Sequence, residues 1–330
     1  MKQRNWGARL REFEWLGLPA LSLENELLRI GILAGKGADV FEFLFKPRDI
    51  DFVWLTTSGF RNPREVGAAG PLAFIDTYGG GWQEILPSGG EPSSHAGIEY
   101  GQHDEVSMLP WAYEVVEDEP GAVAVRLSVD CVRTPFRLVR EVRLKGGSMR
   151  LVVLSTVTNL GAAAAPFMWG QHLAFGPPFL APGARITLPD GVEGIPGGGG
   201  RVRDERFRWP AAISPDGEPV DLSVLPGRGT PSDIVYLTGF PERAWYEVAH
   251  GGLAFRVEWD ATVLAYLWFW QEFGATTGYP WYGRHWNIGL EPFSSYPTNG
   301  LAEAVANGTA LELGSGEQRS LTFSAEVLAS

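Results

Sequence analysis

Two side chains in this sequence stand where an acid and a base could work together. Glu291 falls in residues 286–297 (WNIGLEPFSSYP), between a short apolar strand and a proline-punctuated turn. That setting puts its carboxylate at a strand end, facing a cleft rather than bulk water. Residues 168–176 (MWGQHLAFG) do the same for the imidazole of His172, at the edge of an aromatic strand. A carboxylate is normally ionised near neutral pH and an imidazole titrates close to it, so together they can deliver one proton and remove another. A polar, ring-shaped substrate is what such a pair would serve. Plainer readings stand beside this one: a core histidine held by hydrogen bonds, and an exposed carboxylate at a strand end.

Other candidates lie in residues 76–111, a long, glycine-rich stretch crowded with polar and aromatic side chains. A segment of this length without regular patterning is usually functional or disordered, and Tyr78, Trp82, Tyr100 and Trp111 argue against disorder. A binding loop is therefore expected. His95, in a flexible run after two serines, is expected at the surface. His103 precedes Asp104 and Glu105, which read as solvated. No second histidine stands at HxH or HxxxH spacing, so a hydrogen-bonding role for His103 is favoured and no metal site is expected. Trp268, Trp270 and Gln271 lie in LAYLWFWQEF, a strand with aromatics on both faces, from whose end Gln271 could reach a ligand. Arg284 could bind an anion or a substrate hydroxyl, or pair with a surface acid.

The elements that must position these groups are strands. Val123, Val125, Leu127, Val129 and Cys131 alternate with Ala124, Arg126, Ser128 and Asp130, a period of two with one buried face. Phe136, Leu138, Val142 and Leu144 continue it, with Arg140 as the polar exception, and Gly146-Gly147 turns the chain into residues 149–159. The same alternation returns over residues 253–259 and 321–327. Residues 9–15 read as a short helix or an edge strand, and residues 301–307 as one helical turn. The prediction is an all-β protein, a large antiparallel β-sandwich spanning residues 1–330 as a single domain. Residues 189–200 (PDGVEGIPGGGG) and 208–232 read as loop insertions, the first mobile and the second an excursion or lid.

Composition narrows the partners. At 330 residues, 45% hydrophobic and 20% charged, the chain has the make-up of a globular protein. A net charge of −12 argues against nucleic acid and against anionic membrane surfaces. The N-terminal segment MKQRNWGARLREFEW lacks a leader-like apolar core, no apolar run is long enough to span a membrane, and the cytoplasm is the expected location. The single cysteine, Cys131, excludes an intramolecular disulfide and reads as a buried, inert thiol. Thirteen tryptophans suit both a wide β core and stacking on sugar C–H faces. No phosphate-binding loop or GxSxG nucleophile turn is present. Oligomeric state is not legible.

Taken in order, several blocks resemble the aldose 1-epimerase (galactose mutarotase-like) superfamily, in particular a divergent aldose-epimerase-like branch. They are residues 21–54, YGGGWQEILPSGG (78–90), GQHDEVSMLPW (101–111), WGQHLAFG (169–176) and IGLEP (288–292). The resemblance implies a β-sandwich and a cofactor-free enzyme that interconverts the α and β anomers of a free sugar. It implies His172, with Phe175 in an HxxF-like pattern, as the acid at the ring oxygen, Glu291 as the base at the anomeric hydroxyl, and His103 as a ring-oxygen contact. Trp82, Gln83, Trp270, Gln271 and Arg284 are the remaining candidate sugar contacts. Two departures stand out: Asp104 follows His103 where glycine is common, and Arg61-Asn62 reverses an Asn-Arg sugar-binding pair. A carbohydrate-binding or sensing module without turnover is the alternative. Aromatic richness favours a neutral sugar, while Arg61, Arg64 and Arg284 leave an acidic or phosphorylated one open.

Overall fold

Alternating apolar strands bury one face each, and here they pair into two large antiparallel sheets that bury those faces against each other. The computed structural model describes residues 4–329. Of the N-terminal segment read against a leader, residues 1–3 lie outside this range, and Arg9–Trp15 is an edge strand rather than a helix. The eight-stranded sheet contains the predicted meander. Ala122–Asp130, Phe136–Lys145, Arg150–Asn159 and Gln318–Ala329 are successive neighbours, followed by Leu253–Asp260 and Arg243–His250. Register aligns the buried residues across it: Val125 opposes Val142, Val142 opposes Val153, Val153 opposes Phe323, and Phe323 opposes Trp259. All five are essentially inaccessible, each burial contributing roughly 1.5–3 kcal/mol for a large apolar side chain.

The second sheet has fourteen strands. Its centre runs Trp82–Ile85, Gly170–Phe175, Asn287–Phe293, Tyr266–Glu272 and Asp233–Thr238. One large apolar cluster draws on the inner faces of both sheets, for example Val153, Phe323, Leu173 and Leu290. A second cluster, including Trp268, Phe293, Phe74 and Tyr78, covers the outer face of the fourteen-stranded sheet. The centre of this sheet is thus buried on both sides, which explains why its strands read as unbroken aromatic runs.

Residues 189–200 and 208–232 extend this sheet's edge instead of forming unpatterned loops. Glu193–Pro196 pairs with Asp233–Thr238, and Phe207–Arg208, Ala211–Ile213 and Pro219–Asp221 continue outward. Backbone pairing needs no side-chain pattern, so the glycine content concealed it. The glycine run is pinned as well: the Asp233 carboxylate accepts N–H bonds from Gly199, Arg201 and Val202. Gly300–Ala306 is the expected short helix. Among the described residues, no helix is long and apolar enough to cross a membrane.

Arg140, the polar exception in the strand pattern, lies fully buried between the sheets. Its Nε is 3.4 Å from Glu84 Oε2, its Nη1 donates to Ala38 O at 3.3 Å, and its guanidinium lies 4.9 Å from the Trp82 ring. Glu84 also accepts from Trp169 Nε1 (2.8 Å) and Ser155 Oγ (3.3 Å). Removing one member of such a pair leaves the other charge buried alone, at about 3–5 kcal/mol. Arg140→Ala is therefore expected to lower the free energy of unfolding by at least about 3 kcal/mol, read by urea titration of tryptophan fluorescence; a loss within about 1 kcal/mol would show that Glu84 does not depend on it.

Candidate active site

Strand register brings the acid and the base together. Gly170 pairs with Phe293 and Ala174 pairs with Gly289, so His172 and Glu291 fall opposite each other midway between those pairs. His172 Nε2 lies 3.5 Å from Glu291 Oε1, close enough for strong electrostatic interaction and too long for a strong hydrogen bond. Both side chains are almost wholly buried. Their neighbourhood is built on small residues: a Cβ on Gly289 would collide with Oε1 of Glu291 and lie 3.1 Å from the Trp270 ring. The glycine of IGLEP is thus required by the close approach of the carboxylate.

The two groups line a cavity of about 230 Å³ together with His103, Tyr78, Phe74, Trp268, Trp270 and Trp281, and with Glu91, Gln102 and Thr298 among its remaining wall residues. The imidazoles of His103 and His172 are 5.0 Å apart between centroids. His103 is fixed by its neighbours: its Nδ1 accepts from the Gly90 N–H (3.2 Å), and its own N–H donates to Gly90 O (3.1 Å). With Nδ1 accepting, the neutral ring carries its proton on Nε2. Its backbone is left-handed at φ +51°. Asp104 and Glu105, expected to be solvated, are buried anchors instead. Asp104 accepts from the Gly101 N–H and from Arg133, while Glu105 accepts from the Val132 and Arg133 N–H groups and from Thr134 Oγ1. Apart from Gly101, these partners come from residues 132–134, so the local sequence could not reveal them.

Burial sets the protonation of the pair. It pushes the Glu291 carboxyl well above the usual carboxylate range. It also pulls His172 down to about 4, with the charge of Lys36 acting in the same direction against a hydrogen bond to its own backbone. His103 is pulled well below its ordinary value by burial and by His172. Burial thus drives the pair away from an ionised glutamate beside a protonated histidine and toward two neutral partners, because neither charge is solvated. Tyr78 Oη is buried without a hydrogen-bond partner, and its ring lies 5.3 Å from that of His172.

Four expected contacts lie elsewhere. Trp82 points between the sheets, where its Nε1 donates to Gln171 Oε1 and its ring packs on Phe323 and Arg140. Gln271 also faces the interior, accepting from Arg201, because its strand neighbour Trp270 takes the cavity side. Gln83, paired across the strands with His172, is buried beneath the cavity wall and donates to Gly80 O. Arg284 is exposed and does not line the cavity. Asn62 is structural, bonding Leu16 O and the Arg64 N–H, while Arg61 and Arg64 are exposed. Phe74 and Trp281 were not foreseen as wall residues; the aromatic density of residues 74–82 and 279–286 was the available signal. Cys131 is half-buried and its thiol is pushed up to about 12 by burial. Among the described residues, no three His, Cys, Asp or Glu converge as a metal-ligand set.

This architecture is the galactose mutarotase-like sandwich. A Klebsiella pneumoniae protein provisionally assigned as an aldose 1-epimerase matches with a TM-score of 0.76 over 98% of this chain and 88% of its own, at 14% identity. Galactose mutarotase-like proteins from Clostridium acetobutylicum (TM-score 0.68, 12% identity, 98% of this chain and 99% of that one) and Lactobacillus casei (0.61, 19%, 93% and 99%) share it. At these identities the likeness is one of fold. Residues 16–193, more than half of the chain, match the family described as Domain of unknown function (DUF4432), and the chain belongs to that family. No curated protein matches it significantly by sequence.

The protonation of the buried carboxyl has a measurable consequence. A carboxyl whose folded value is raised contributes stability in full below its unfolded value, near 4.5, and loses it as pH rises toward the folded value. Glutamine does not titrate, so Glu291→Gln should gain melting temperature over wild type as pH increases from 4.5 to 8. The gap should widen by up to about 1.4 kcal/mol per pH unit. A gap that stays flat across this range would mean that Glu291 is ionised in the folded protein.

Proposed function

We propose that the protein is a carbohydrate mutarotase of the aldose 1-epimerase type, acting in the cytoplasm on a free small-molecule sugar without a cofactor. The observation that carries this reading is the contact of His172 with Glu291 in the wall of an aromatic, monosaccharide-sized cavity. Mutarotation asks for a proton at the ring oxygen and the removal of one from the anomeric hydroxyl. The C–O bond then breaks to give an open-chain aldehyde, rotation about the adjacent C–C bond presents the other carbonyl face, and closure reverses both transfers.

The resting neutral pair holds the protons needed for this. One proton transfer between the partners gives imidazolium and carboxylate, in which His172 donates to the ring oxygen and Glu291 accepts from the anomeric hydroxyl. After opening, Glu291 carries the proton taken from the sugar and His172 is neutral. Closure on the other face returns the Glu291 proton to the carbonyl oxygen and passes the chain hydroxyl proton to His172, giving imidazolium and carboxylate again, and one proton transfer between them restores the neutral resting pair. In this reading the Nε2–H of His103 helps hold the ring oxygen, and Trp270 stacks on a C–H face. Each positioned acid or base is worth roughly 100- to 10,000-fold.

The pair also fits a second reading, a sugar-binding protein without turnover, because two buried neutral groups are a poorer resting acid and base than two charged ones. Polarimetry on fresh α-anomers combined with titration calorimetry separates the two: a pure binder releases heat and leaves the rate of anomer exchange unchanged. For the enzyme, His172→Asn and Glu291→Gln are each expected to lower kcat by roughly 100-fold or more. The acid limb of kcat/KM should fall near pH 4, where a second proton enters the pair, rather than at the ordinary imidazole value near 6.5. Wild-type rates in Glu291→Gln would remove the assignment.

A further inference from the structure

The cavity wall carries charge of one sign only. Among the described residues that line it, the ionisable side chains are the two histidines, Tyr78, Glu91 and Glu291; no lysine or arginine is present. The nearby cations are committed elsewhere. Lys36 lies behind Phe74, 5.7 Å from the ring centre, with its Nζ 2.6 Å from Asp39 Oδ2 and its side chain 1% exposed. Arg201 is spent on Gln271 over the Phe273 ring, and Arg140 faces the opposite side of the sheet. Arg61, Arg64 and Arg284, the sequence candidates for an anionic substituent, are exposed and outside the wall.

Glu91 is the one exposed charge in that wall. Its backbone is fixed, with its N–H donating to Thr298 O at 2.8 Å and the preceding Gly90 held on both sides by His103. No side-chain hydrogen bond or ion pair engages its carboxylate among the described residues. Its carboxylate, on a fixed backbone one residue beyond the His103 anchor, is thus left to meet a donor on a molecule bound in the cavity. Beside it, Thr298 is tied in turn to Tyr236 by a 2.8 Å hydroxyl contact.

Resting on the mutarotase reading, the geometry points to Glu91 as the residue that sets the accepted charge: the cavity takes neutral or amino sugars, Glu91 accepts a hydrogen bond from a ring hydroxyl or amino group, and sugars bearing phosphate or carboxylate are repelled. A like charge at a partly exposed site is screened but not abolished, so the discrimination is graded.

The test uses one sugar skeleton in four charge states: galactose, galactosamine, galacturonic acid and galactose 6-phosphate, with the glucose series as a second set. Ligand-detected NMR reports binding, and two-dimensional exchange NMR reports anomer interconversion. Wild type is expected to favour the neutral and amino members over the anionic ones. Glu91→Gln should narrow that ratio by roughly 3- to 30-fold, and Glu91→Arg should favour the anionic members. Binding of neutral and amino members in preference to anionic ones, with no rate acceleration for any of them, removes the mutarotase reading and leaves the charge selection standing. Equal handling of all four charge states by wild type, or a ratio unmoved in both Glu91 variants, overturns the inference while leaving the mutarotase reading intact. Binding of none of the sugars in either series overturns both.

Discussion

Everything at the candidate site depends on one strand register. Gly170–Phe175 and Asn287–Phe293 are neighbours in the large sheet, and the pairs Gly170–Phe293 and Ala174–Gly289 fix their alignment. A slip of one residue would turn His172 or Glu291 to the opposite face, into the apolar interior between the sheets. The register is held from both faces at once. Leu173, Phe175, Ile288 and Leu290 belong to the core between the sheets, while Ala174 and Phe293 belong to the aromatic layer outside. Phe293 stacks on Trp268 at 3.6 Å between centroids, and the absence of a side chain on Gly170 makes room for its ring. The packing that stabilises the sheet is therefore the same packing that aims the pair.

Burial on both faces has an electrostatic price, and the chain handles it differently on the two sides of the sheet. On the inner face Arg140 and Glu84 compensate each other, with Trp169 and Ser155 donating to Glu84 and Arg140 donating to the Ala38 carbonyl. On the cavity face Glu291 has no cation beside it and His172 has no hydrogen-bonded carboxylate. Burial therefore drives both toward neutrality rather than toward an ion pair. The two faces of one strand region thus hold a charge pair locked by further hydrogen bonds and an acid–imidazole pair at 3.5 Å that is not.

Much of this was legible in the sequence, for a physical reason. The all-β class followed from two-residue alternation, since a sheet with one buried face imposes that period. His172, Glu291, His103 and Trp270 were also singled out, and the structure gathers them in one cavity. What the sequence missed was which face of a strand each neighbour takes when both faces are buried. Trp82 and Gln271 sit beside true wall or sheet-centre positions, yet alternation turns them inward, and aromatic residues on both faces leave no apolar–polar contrast to mark the difference. The loops were misjudged because Asp104 and Glu105 are neutralised by residues near Arg133, and because Glu193–Pro196 is recruited by backbone pairing alone.

The same argument separates what the fold supplies from what this chain adds. The sandwich provides two neighbouring strands whose register can oppose an imidazole and a carboxylate over a concave, aromatic surface. The loops bring in the rest of the wall: Phe74 and Tyr78 from the segment around the Ala73–Thr77 helix, Trp281 from the connection between the two central strands, and Glu91 from the turn that clamps His103. Tyr279 Oη donates to Asp76 Oδ1 at 2.7 Å, tying two of these loops together. Strand residues thus fix the acid–imidazole pair, whereas loop residues shape the wall around it. Because a register cannot change by degrees and a loop can, divergence on this fold is expected to spare the pair and to rewrite the rim, where this chain presents a carboxylate and no cation.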